Sequence, residues 1–166
     1  MTARARDSQR SRVYAAETTV RTLFDHAAST SGQVEIFGSR FTLPGERKIV
    51  SLVSIRSYLD TIVAMNTVRA HYPRAGLPIT VRHRRGSTAA HYEPATATIA
   101  VPLHNRSMLR ELIVLHELAH HLQPPHSAWH GPHFTAILCH LVEIALGAEA
   151  AWLMRACLTD AGAEID

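Results

Sequence analysis

The chain has 166 residues, with 17 Lys and Arg against 14 Asp and Glu, 12 His and 2 Cys, and 46% of its residues are apolar. A chain of this size can bury roughly 70% of its unfolded surface in one core, and two thiols, Cys139 and Cys157, exclude a disulfide scaffold. The longest unbroken apolar run, Ala150 to Met154, falls far short of the roughly 20 residues that cross a bilayer, and no apolar segment of signal-peptide length opens the sequence, so a cytoplasmic protein without a membrane partner is expected.

Residues 1–12 carry Arg4, Arg6, Arg10 and Arg12 against Asp7, which accounts for the whole net charge of +3. A basic stretch without apolar periodicity reads as a disordered, solvated tail, and secondarily as an electrostatic handle for nucleic acid. From Val13 onward the chain is neutral, and 13–160 is read as one domain, followed by a short C-terminal tail, 161–166.

Val13 to about Ala28 has the apolar spacing of a helix, ended by Ser29 to Gly32. Val34 to Phe37 and Arg47 to Val50 read as two short strands around a Pro44-Gly45 turn. Ser54 is the expected N-cap of a second helix reaching about Ala70, before Pro73 and Gly76. Ile79 to Arg84, Ala89 to Glu93 and Thr96 to Val101 then look like an antiparallel meander. A third helix is expected from near Ser107 to Gln123, where Pro124 and Pro125 end it. Pro132 suits the first turn of a fourth helix reaching Leu146, and a last helical piece follows Gly147. The class expected is α+β.

Seven of the twelve histidines fall between His116 and His140. On the third helix the order is His116-Glu117-Leu118-Ala119-His120. Histidines at i and i+4 share a helical face, so both rings can reach one Zn²⁺, and the intervening Glu117 is placed to hold a metal-bound water. Leu112, Leu115, Leu118 and Leu122 give that helix an apolar back. A third ligand is required, and four residues offer one. His126 lies six residues after His120, the metzincin spacing, although Gln123 stands where that pattern has Gly. Glu143, on the fourth helix, has the place of a gluzincin carboxylate. His130 opens His130-Gly131-Pro132-His133-Phe134, just before a helix start, and His133 follows it. If the site were only structural, Cys139 or His133 would fill the fourth position.

His116-Glu117-x-x-His120 followed by His130-Gly131-Pro132-x-Phe134 resembles the SprT-like/Spartan zinc metalloproteases. Over residues 13 to 155, including Val34-Glu35-Ile36-Phe37-Gly38, Ala90-His91-Tyr92 and Ile99-Ala100-Val101-Pro102, the chain more closely resembles an actinobacterial set of metallohydrolases with the same motif. The resemblance implies a zincin-like fold, with a small antiparallel sheet packed with the active-site helix and C-terminal helices. It also implies zinc ligands His116, His120 and His130 with Glu117 catalytic. It names no substrate, and the DNA-binding modules of Spartan proteins have no counterpart in this sequence.

Three readings follow. The first is a zinc peptidase acting on peptide or protein substrates, in which zinc brings its water to a pKa of about 7 and Glu117 moves the proton to the leaving nitrogen. The second is a zinc hydrolase of small amides. The third is a metal-stabilised module whose tail, with Arg82, Arg84 and Arg85, binds nucleic acid. For the enzyme readings His91, Tyr92, His121 and His133 are candidate second donors, and Glu111 and Glu143 are candidate carboxylates behind the ligand rings. The edge of Thr96 to Val101 is a candidate for pairing with an extended peptide.

Overall fold

The computed structural model describes residues 6–166, so Arg4 and the first part of the expected tail lie outside the described residues. The elements in chain order are α1 (Arg10–Ala28), β1 (Gln33–Ile36), β2 (Ser39–Thr42), α2 (Leu52–Ala64), α3 (Asn66–His71), β3 (Thr80–His83), β4 (His91–Glu93), β5 (Thr98–Val101), α4 (Glu111–Leu122), α5 (Pro132–Leu146) and α6 (Ala148–Asp160). Short 3₁₀ turns occupy Pro73–Gly76 and Arg106–Met108. This is an α+β fold of six helices and small sheets among the described residues. None of the helices is long and apolar enough to cross a membrane. The chain divides into two compact units, one of residues up to Glu46 together with Pro125–Asp166, the other Arg47–Pro124.

In the first unit α6 packs against both α1 and α5. Helix α1 begins at Arg10, three residues ahead of the expected Val13, and buries Val13, Ala16, Val20, Phe24 and Ala27 along one stripe. Residues assigned from sequence to tails are tied into this unit. The Gln9 side chain is buried and bonds the backbone of Glu164 in both directions, donating to its carbonyl at 3.1 Å and accepting from its N–H at 2.9 Å. Helix α5 starts with Pro132 at its first position and stops at Gly147, whose φ of 91° lies in the left-handed region.

The expected pairing of residues 34–37 with 47–50 is replaced by a tighter hairpin. β1 pairs antiparallel with β2, from Gln33 opposite Thr42 to Ile36 opposite Ser39. Phe37 and Gly38 have φ of 51° and 74°, the handedness that suits a two-residue hairpin turn, so the chain reverses seven residues before Pro44-Gly45 is reached.

In the second unit the helix expected from Ser54 to Ala70 is two. Ser51, not Ser54, is the N-cap of α2; its hydroxyl accepts from Ser54 N–H while the Ser54 hydroxyl accepts from Ser51 N–H, a closed capping box. At Met65 the backbone turns extended, with ψ of 134°, and α3 starts afresh. The expected meander is also corrected. Strand order is β3-β5-β4, with β3 parallel and β4 antiparallel to β5. β5 is central because all four of its residues are buried, whereas β3 and β4 alternate as edge strands do. With a neighbour on each side, β5 has no edge for an extended peptide, which withdraws that expectation for Thr96 to Val101.

Helix α4 is buried on every side, all twelve of its residues included. It packs against β4, α2 and the 3₁₀ turn at Pro73–Gly76. Segment 47–49 runs antiparallel to its entry, through Ile49 N–H to Leu109 O at 3.0 Å, Glu111 N–H to Arg47 O at 3.2 Å and a bridge between Lys48 and Arg110. Glu111 accepts from Arg47 N–H in the first helical turn, where a carboxylate is also favoured by the helix dipole.

Candidate metal centre

The second and third turns of α4 carry His116 and His120 on one face, both rings buried, with Glu117 buried beside them. Their Nε2 atoms lie 3.1 Å apart and their rings meet at 79°. With Zn–N bonds of about 2.0–2.1 Å, two ligands of a tetrahedral ion are separated by about 3.3 Å, so this pair offers its nitrogens at the spacing of one ion. Gln123, three residues on, places Oε1 3.3 Å from His120 Nδ1. Accepting from Nδ1–H, that oxygen leaves the His120 lone pair on Nε2.

His130 directly precedes Gly131, the N-cap of α5. Its Nδ1–H donates to Asp7 Oδ2 at 2.8 Å, and Tyr14 and Phe134 each meet its ring edge-on with centroids 5.0 Å away. Two aromatic rings and a carboxylate thus fix both the plane and the tautomer of this imidazole, putting its lone pair on Nε2 as well.

Among the described residues His116, His120 and His130 are a group of buried side chains that could hold a metal ion, each offering one ligand atom, with those atoms within 4.8 Å of one another. The donor set fits zinc among other imidazole-binding metals: three imidazoles are one of the ligand sets that zinc takes from a protein, and no hard-oxygen cage of the calcium or magnesium kind is present in the group.

The other residues weighed as ligands are placed differently. His126 is exposed in the loop after α4, in the left-handed region at φ 70°. His133 is exposed and pairs with Asp166. Glu143 is exposed and faces Arg155 at 3.5 Å. Cys139 is buried in α5, and burial pushes its thiol up to about 11, which disfavours the thiolate a metal would need.

Two of the candidate second donors pair with each other. The Tyr92 hydroxyl and His121 Nδ1 are 3.1 Å apart, and His121 Nε2–H donates to the Arg74 carbonyl at 3.1 Å. Arg74 Nε returns a bond to the His121 carbonyl at 2.6 Å. Burial lowers the His121 pKa to about 4; the Arg74 guanidinium acts in the same direction and the bond to the Arg74 carbonyl opposes it. His91, next to Tyr92 on β4, points to the other, exposed face. The Arg82 to Arg85 cluster is partly engaged, since Arg82 faces Glu93 at 4.0 Å and Arg84 donates to the Ala89 carbonyl at 2.7 Å.

Two side chains that bond the rings of His120 and His130 were not among the candidates read from the sequence. Gln123 was detectable, since i+3 from His120 is the same helical face. Asp7 gave no signal: it is 123 positions from His130 and sits in a stretch whose composition reads as solvated.

Compared with known proteins, the chain matches no family model, no curated protein and no solved structure.

Proposed function

We propose that this protein is a zinc-dependent hydrolase of zincin-like architecture, a metallopeptidase in which His116, His120 and His130 hold the metal and Glu117 carries the proton. What supports the reading is that His116, His120 and His130 are buried and could hold a metal ion, each offering one ligand atom, with a buried carboxylate, Glu117, adjacent to the first of them on the same helix. Zinc held there would supply Lewis acidity and bring the pKa of water to about 7. Glu117 takes a proton from the attacking water at a carboxylate oxygen and delivers it to the departing amine nitrogen. Gln123, bonded to His120, keeps that ring's lone pair on Nε2 throughout. The resemblance of the motif and of His130-Gly131-Pro132 to SprT-like proteases favours a peptide over other amides.

The test is Glu117→Gln in the zinc-loaded protein, assayed on a peptide library and on a panel of N-acyl amides. The variant keeps its zinc and loses about 10²–10⁴-fold in turnover of peptides. Turnover confined to N-acyl amides moves the substrate to small molecules. Zinc-loaded wild-type protein without any Glu117-dependent hydrolysis sinks the reading.

A further inference from the structure

Three side chains, Gln9 just before α1, Arg12 in its first turn and Thr135 in α5, bond the backbone of residues 162–164. Gln9 clasps the Glu164 backbone, Arg12 donates to the Gly162 carbonyl at 3.0 Å, and the same Glu164 carbonyl accepts from Thr135 Oγ1 at 2.7 Å. Thr135 belongs to the first turn of α5, the helix that His130 precedes. The clasp therefore joins the start of the chain, its end and the base of His130 within one unit. Asp7 is delivered by this clasp, with Oδ2 on His130 Nδ1 at 2.8 Å and Oδ1 buried without a hydrogen-bond partner among the described residues. A partly buried carboxylate that spends its one hydrogen bond on an imidazole is costly to hold for stability alone.

We infer that Asp7 is the positioning residue of His130. By accepting Nδ1–H it holds the ring in the Nδ1-protonated tautomer, so that Nε2 is the ligating atom, and it raises the basicity of that nitrogen. Zinc affinity thereby depends on a segment whose sequence reads as a solvated tail. The inference rests on His130 being a ligand, as proposed above.

The experiment uses the full chain with Asp7 intact, as Asp7→Asn and as Asp7→Ala. Zinc affinity is measured by competition with a chromophoric chelator, and the His130 tautomer is read in the metal-free protein by long-range ¹H–¹⁵N spectra. Asp7→Ala is expected to weaken zinc binding about 10–100-fold and to move His130 toward the Nε2–H tautomer. Asp7→Asn, which keeps an accepting oxygen, recovers part of both, and should Asp7→Ala fail to fold it carries the comparison with a loss of several-fold. A tail that is merely a structural strap leaves the tautomer unmoved. Equal zinc affinity in all three chains, or an unchanged tautomer, overturns the role of Asp7 while leaving the metal reading in place. Wild-type protein that takes up no zinc overturns the metal reading and this inference with it.

Discussion

Tyr92 donates its hydroxyl proton to Nδ1 of His121 across 3.1 Å, and because Nε2–H is held by the Arg74 carbonyl, the buried imidazole is the neutral Nε2–H form. Its pKa, lowered to about 4 chiefly by burial, lies below the value of about 6.5 that the unfolded chain would show. Between those values the unfolded state takes up a proton that the folded state refuses. Stability from this group is therefore complete above about pH 6.5 and is lost as pH falls toward 4, on the order of 3 kcal/mol in all. Urea unfolding of the metal-free chain at pH 7.5, 5.5 and 4.5, beside His121→Gln, isolates the effect. The advantage of the natural residue shrinks at each step down; an advantage independent of pH would refute the account.

Removal of the metal should be visible in stability as well as in activity. A ligand bound only by the folded chain adds about 2.7 kcal/mol at a hundredfold excess over its Kd, which for a chain of this length raises the melting temperature by about 5–11 °C. Zinc added to chelator-treated protein gives that rise. His120→Ala removes one of two nitrogens 3.1 Å apart and abolishes it, while Glu117→Gln, with every ligand intact, preserves it. A rise of the same size in His120→Ala would place the ion elsewhere.

The elements legible in sequence are those whose signals are local. Apolar spacing, Pro132 at the start and Gly147 at the end define α5 to the residue, and the two histidines of α4 lie one turn apart because any helix puts i and i+4 together. Elements misread are those decided by distant partners. Residues 47–49 do pair, as the expected strand suggests, yet they meet the entry to α4 and not β1. The parallel pairing of β3 with β5 has no marker in either strand; the only hint is that Thr98-Ile99-Ala100-Val101 lacks the polar alternation of an edge. Asp7 was hidden by its company, four arginines and no apolar period, although a single hydrogen bond to His130 decides its role.

Gly131 explains why His130 is followed by glycine, and the reason is space. Its φ of −72° is one that any residue adopts, so no left-handed conformation is at stake. A Cβ built there would stand 2.9 Å from the Cβ of Ala128, across the turn closed by Gly131 N–H and the Ala128 carbonyl. Neither carbon is at the end of a flexible side chain, so the turn itself must open, and His130 lies within it. Gly131→Ala is expected to cost about 1–3 kcal/mol, as overpacking does, and to weaken zinc binding by displacing the third imidazole. Ala128→Gly in the same chain removes the opposing carbon and should restore affinity, which a zinc titration of the single and double variants measures directly. If Gly131→Ala binds zinc as tightly as the natural chain, the turn has room that the distance denies. If the double variant stays as weak as the single one, the loss arises from the helix start and not from the contact with Ala128.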